Sequence, residues 1–360
     1  MDRRSFLTTS ALAATGGAAA TLAAPAYAQG KRQLTMVTSW ARGMAGLHDG
    51  AQACADRITA LTDGQLSVEL KAAGELVGAF EVFDAVSSGQ ADMYHAGDYY
   101  FVNQHPAYAF FASVPFGMTA QELNNWYYYG EGHALHDELG AIFGLKSFLA
   151  GNTGAQAGGW FRKEIKSAED FQGLKFRMPG LGGQALGKLG ASVQNIPGGE
   201  VYQALSTGAI DGTEWVGPWA DEKAGFYEVA KFYYTAGFHE PGTALTLALN
   251  RDLFDSLTPV QQGIVETVSA QVNQWNLCQF LSENGTALAR LASQGVQMMQ
   301  FPDDVWDAFG AASQETLESN RDGDLYDRVL DSYMASLKAS SAWLKASDGT
   351  YRAQRDRVMG

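Results

Sequence analysis

The chain has 360 residues, 46% of them hydrophobic and 41 of them glycine, which is long enough for two lobes that each bury a core. Its net charge is −14 at pH 7, and loss of residues 1–28, with Asp2, Arg3 and Arg4, takes it to −15. Such an acidic surface excludes nucleic acid and anionic lipid as natural partners, and an anion can be held only at a local cationic centre. Each buried arginine is therefore informative.

Residues 1–28 open with Arg3 and Arg4, followed by Ser5, Phe6 and Leu7, then an Ala/Thr/Gly run that ends in Ala26-Tyr27-Ala28. This pattern predicts an export signal of the twin-arginine type and a periplasmic address. No later stretch reaches the roughly 20 continuous apolar residues needed to span a bilayer. Leu34 and Met36 begin a predicted strand, and Leu47, Ala51, Cys54, Ile58 and Leu61 share one helix face. Leu66, Val68 and Leu70 alternate as a second strand, and Val82, Phe83 and Val86 mark a second helix. The β-α-β-α order predicts a parallel sheet.

Residues 85–92 and 204–211 echo each other as helix, glycine and strand, which suggests two lobes. Ser167 and Asp170 open a short helix that Gly173 closes, and Leu174 to Met178 form a strand that delivers Arg177. The strand through Leu245, Leu247 and Leu249 is expected to return to the first lobe. The assigned ranges are 30–155 plus about 242–280 for the first lobe and 156–241 plus about 281–330 for the second, with 331–360 a C-terminal helical extension. From Thr258, with Pro259 at the first helical position, a helical pattern runs to about Ser293, about 50 Å if unbroken, and is expected to span both lobes. The stripe Val329, Leu330, Tyr333, Met334, Leu337 and Trp343 packs on the lobes, and any surplus offers a homodimer face. Cys54 and Cys278 read as two buried thiols.

Arg177 lies at a strand end between Phe176 and Met178, and its planar fork matches a carboxylate, either of a ligand or of an internal acid. Glu214 and Trp215 stand where the strand after Gly208 must stop, and Glu240 lies in a second aromatic-rich turn. Two acids sharing an apolar cleft repel and raise one pKa unless a cation lies between them.

The segments Gly208 to Pro218, Gly151 to Arg162 and Gly173 to Gly180 closely resemble those of the DctP family of TRAP transporter solute receptors, in the branch that binds 2-oxo or 2-hydroxy monocarboxylates. The resemblance implies an α/β fold, that of a two-lobed periplasmic binding protein with hinge strands, and a receptor with no enzymatic activity. It implies partners in a small organic acid and in the small and large membrane subunits of the permease. It implies that Arg177 grips the acid and that Gln156, Glu214, Glu240 and the Trp215 carbonyl hold a metal. Gln156 and Trp215 would also touch the acid, and Tyr99 and Tyr100 would close over it, with Tyr100 as a hydrogen-bond donor. All-oxygen ligation suits calcium or sodium. The chain departs from the pattern at Asp98, where a tyrosine is expected, in Val102-Asn103-Gln104-His105, which carries one extra residue, and at His239, which replaces an aromatic residue and would change the pocket size or add pH sensitivity near Glu240.

Rival readings remain. Gly180, Gly182 and Ala185 form a G-x-G-x-x-A turn that would suit a dinucleotide in an exported oxidoreductase. A receptor for an ABC importer or a sensor is the binding-class alternative. His133 and His136 have a zinc-like spacing but no third ligand, and read as a solvated helix face.

Overall fold

The computed structural model describes residues 30–360 except Asp322, so the export segment lies outside the described residues. In chain order the strands are β1 (Arg32–Thr38), β2 (Leu66–Lys71), β3 (Met93–Ala96), β4 (Leu145–Asn152), β5 (Gly159–Phe161), β6 (Lys175–Arg177), β7 (Ser192–Gln194), β8 (Gly212–Thr213), β9 (Phe232–Tyr234), β10 (Ala244–Asn250) and β11 (Gln297–Met299). They form a five-stranded sheet in the order β2-β1-β3-β10-β4 and a six-stranded sheet in the order β11-β9-β5-β8-β6-β7.

Neither sheet is wholly parallel. β1 runs parallel to β2 and β3, as the β-α-β-α order predicts, but β10 lies antiparallel between β3 and β4. The expectation of a parallel sheet fails because β10 arrives from the other lobe by a crossing, and a crossing imposes no direction on the strand it delivers. Ala244 to Leu249 are all buried, as a strand covered on both faces requires.

Two stretches join the sheets, one between β4 and β5 and one between β9 and β10, and they bond to each other. Thr153 N donates to Thr243 O (2.9 Å) and Gln156 N donates to Glu240 O (2.9 Å). The helix Pro259–Ser293 ties the lobes from the outside. It is capped by Thr258, whose hydroxyl and backbone pair with Gln261. Its Asn276 donates to Gly46 O in the first lobe (2.9 Å), its Asn284 accepts from Trp219 N in the second (3.0 Å), and Arg290 pairs with Glu222.

Past residue 300 the helix Asp303–Ser319 buries Val305 and Phe309 against Phe161, Tyr234 and Phe238 of the second lobe. The next helix, Asp324–Leu344, returns to the first lobe. Tyr326, Val329, Leu330 and Tyr333 join the cluster around Phe110 and Trp126, and Met118 N donates to the Tyr333 hydroxyl (2.5 Å). The boundary drawn at residue 330 therefore cuts a helix that already packs on the first lobe, because an apolar stripe shows that a helix is buried without showing against which sheet. Beyond Leu337 the side chains turn outward, and Trp343, Tyr351, Val358 and Met359 are exposed. Cys54 is buried as expected, but Cys278 is exposed on the outer face of the long helix.

Candidate functional site

β6 and β8 are parallel neighbours in the middle of the second sheet, with Arg177 opposite Thr213, so Arg177 and Glu214 leave adjacent strand ends into the same crevice. Gln156 and Glu240 come from the two crossings, which lie side by side. All four side chains are 4% exposed or less. Arg177 Nε donates to Ile196 O (3.1 Å), Nη1 donates to Glu214 Oε1, and the guanidinium lies over the Trp215 ring, 5.2 Å from its centroid. Arg177 is thus paired with an internal acid, as the alternative reading of its sequence setting held, but Nη2 is buried and has no hydrogen-bond partner.

Gln156 Nε2 donates to Thr153 Oγ1 (3.1 Å), which fixes the amide, while its Oε1 is buried and unpartnered. Glu240 Oε2 accepts from Thr243 Oγ1 (2.6 Å). Burial, followed by the charge of Glu214, pushes the Glu240 carboxyl well above the usual carboxylate range. Burial alone would lower the Arg177 pKa, but Glu214, Tyr100 and Tyr99 carry it above the ordinary arginine value. The acids, a cationic fork and a free amide oxygen converge in a site shielded from water.

His239 belongs to this group. One ligand atom from each of Glu214, His239 and Glu240 lies within 4.8 Å of the others, and His239 Nε2 is 3.6 Å from Glu214 Oε2. Oxygen-only ligation was expected, and His239 was noted only as a departure beside Glu240, not as a member of the ligand cluster. The fold brings the imidazole in because Gly237 and Gly182 pack against it. A Cβ on Gly182 would lie 2.7 Å from His239 Cβ.

The first lobe supplies Tyr99 and Tyr100 from the short 3-10 turn Asp98–Phe101 after β3. Tyr99 stands edge-on to Tyr100 (4.7 Å between centroids), and Tyr100 packs against Phe80 and Trp40. Burial raises both phenols above their ordinary value, with Glu240 next for Tyr99, so each hydroxyl stays a donor at neutral pH. The segment around Trp215 is held by Asp221 of the helix Pro218–Ala224, a residue the sequence did not single out. Its carboxylate accepts from Val216 N (3.0 Å), Gly217 N (3.0 Å) and Trp160 Nε1 (2.9 Å).

The Gly-rich turn has a different use from the one a dinucleotide would need. Gly180 starts the helix Gly180–Lys188 at φ +62° with Tyr99 against it, and a Cβ on Gly183 would meet Met178 O at 2.3 Å. These glycines permit packing against their own chain, which leaves no open cradle for a pyrophosphate. His136 also departs from expectation. It is fully buried, with Nε2 2.8 Å from Asp98 Oδ2, so it is no part of a solvated face, and His133 is half-buried beside it.

Residues 39–322 match the model of the family described as bacterial extracellular solute-binding protein, family 7, also called DctP. The chain belongs to this family. The receptor is therefore an extracytoplasmic solute-binding protein of the TRAP type, and no helix among its described residues is long and apolar enough to cross a membrane. It is 41% identical over 317 residues to a monocarboxylate 2-oxoacid-binding periplasmic protein of Nostoc sp., covering 88% of this chain and 87% of that one. A TRAP periplasmic solute-binding protein of Pseudoalteromonas atlantica, solved with sodium and pyruvate, is 37% identical, with a TM-score of 0.87 over 90% of this chain and 99% of that one. A third relative, from Colwellia psychrerythraea and solved with calcium and pyruvate, is 36% identical, with the same TM-score and coverage. The two-lobed fold, the long helix and the helical C-terminus agree with the fold expected from the sequence.

Proposed function

We propose that the receptor closes its lobes on a 2-oxo or 2-hydroxy monocarboxylate such as pyruvate, lactate or a longer 2-oxo acid. It would hand that acid to the small and large membrane subunits of a TRAP permease, making and breaking no covalent bond. The observation that carries this reading is the pair of buried, unpartnered groups in the crevice, a donor at Arg177 Nη2 and an acceptor at Gln156 Oε1, beside two buried carboxylates. Unmet buried polar groups of this kind each cost about 1–3 kcal/mol, which a carboxylate and a cation entering together would relieve.

In this reading Arg177 grips the acid's carboxylate, and Gln156, Glu214, Glu240 and the Trp215 carbonyl hold a hard cation that also reaches the acid. A hard cation held there would supply a second contact to the acid beside Arg177 and so favour 2-oxo and 2-hydroxy acids over plain ones. Arg177, the two glutamates and a monocarboxylate sum to −2, which calcium neutralises and sodium halves. Tyr99 and Tyr100 cover the ligand from the first lobe. The outward apolar residues Trp343, Tyr351, Val358 and Met359 would serve as a homodimer face.

Titration calorimetry with pyruvate and lactate tests the assignment. Arg177→Ala should weaken binding by about 2–5 kcal/mol, because it removes the fork and leaves Glu214 buried without its partner. Equal affinity for the variant and the wild type would sink it.

A further inference from the structure

We propose that Asp98 is a positioning residue that sets the tyrosine wall of the first lobe in register with the hinge that carries Glu240. This role rests on the reading of the site given above. Asp98 is the first residue of the turn Asp98–Phe101, directly before Tyr99 and Tyr100, and its side chain is completely buried.

Burying a carboxylate is costly unless several donors meet it. Here its partners come from different elements. His136 Nε2, on the helix Gly132–Ile142, lies 2.8 Å from Oδ2, and Thr246 Oγ1, on β10, donates to the same oxygen at 2.9 Å. The Tyr94 and Tyr108 phenols also lie close, and after burial the charge of Asp98 is what raises their pKa values most. His136 is itself immobilised, stacked on Phe111 at 4.1 Å and with Nδ1 3.2 Å from the Tyr127 hydroxyl.

The bond to Thr246 gives the network its direction. Thr243, three residues earlier on the same segment, donates to Glu240 Oε2. One stretch of chain therefore holds both the hinge carboxylate, through Thr243, and the start of the tyrosine turn, through Thr246. On the other side, Tyr99 rests against Gly180 of the second lobe so closely that a Cβ there would lie 3.0 Å from Tyr99 Cβ. A small displacement of the turn would clash with the second lobe or draw Tyr99 and Tyr100 away from the acid. A carboxylate suits this anchor because a single oxygen, Oδ2, meets His136 and Thr246 at once, while Oδ1 is buried without a hydrogen-bond partner near the Tyr94 and Tyr108 phenols.

Asp98→Asn keeps the shape but removes the negative charge that His136 and Thr246 meet at Oδ2. Calcium alone, then pyruvate at saturating calcium, would be titrated into the mature wild-type and variant proteins, with thermal melts to establish folding. The expected result is calcium affinity within about twofold of the wild type and pyruvate affinity down by about tenfold or more, because the proposed metal ligands belong to the hinge and second lobe. If Asp98→Asn does not fold, Thr246→Val removes a single donor and should weaken pyruvate alone by about threefold. Unchanged pyruvate affinity in the variant, or calcium and pyruvate affinities that fall together, would overturn the role. A wild-type protein that binds neither pyruvate nor lactate with either cation would overturn the site reading and this role with it.

Discussion

Asp221 holds the loop that carries Trp215, and it does so with a carboxyl pushed up to about 7 by burial, despite hydrogen bonds from Trp160, Val216 and Gly217 that pull the other way. A folded-state pKa above the unfolded one contributes stability that is fully present below about pH 4 and is lost as pH rises through 7. Asp221→Asn removes that titration. Its melting temperature should therefore change less between pH 5 and 8 than that of the wild type, and parallel curves in differential scanning calorimetry would contradict the account. At this scale Arg177, Glu214 and Glu240 were singled out by the resemblance, whereas their residue setting alone left an internally paired arginine and exposed acids open. Asp221 was not singled out, and His239 was legible only in its position beside Glu240, not in its entry among the acids. An aspartate in the first turn of a helix is ordinary on any protein surface, and only the burial of that turn makes it an anchor.

The turn before the helix Gly180–Lys188 is one of the places where the lobes touch. Alanine at Gly180 would adopt φ +62° at a cost of about 1–2 kcal/mol, and its Cβ would press on Tyr99. Gly180→Ala should therefore lower the melting temperature and also weaken pyruvate binding, because full closure is blocked. A loss of stability with unaltered affinity would mean that closure does not use this contact. The same turn shows why a motif can mislead: G-x-G-x-x-A describes where side chains are missing, and Met178, Tyr99 and His239 fill that space here as a cofactor does elsewhere. The long helix was legible nearly to the residue, because Thr258, Pro259 and Gln261 form a local cap and Gly295 follows the last turn.

As a whole, the molecule is two sheets joined by paired crossings, with the proposed ligands drawn from both lobes and from the crossings themselves. Binding should thus favour the closed state, a population shift that requires the acid to prefer it. Pyruvate at about 100 times its Kd should raise stability by about 2.7 kcal/mol in calcium or sodium buffer. That gain should shrink sharply after chelation in sodium-free buffer, and a thermal shift indifferent to both cations would remove the metal from the proposal. Sedimentation tests the exposed helix end: full-length protein should run as a dimer and a chain lacking residues 343–360 as a monomer. Full-length protein that is already monomeric at micromolar concentration would leave Trp343 and Tyr351 without that role.

Sequence alone determined the first two strands and helices, the strand through Leu245, Leu247 and Leu249, the long helix, the acidic surface and the resemblance that implied Arg177 and a hard cation, because period, caps and strand-end residues are local signals. Three-dimensional packing decided the rest. The antiparallel placement of β10, the return of Tyr326 and Tyr333 to the first lobe, the burial of His136 on Asp98 and the entry of His239 among the acids all depend on segments far apart in the chain. Which of them meet is settled by the packing free energy of the assembled lobes, and no local pattern encodes it.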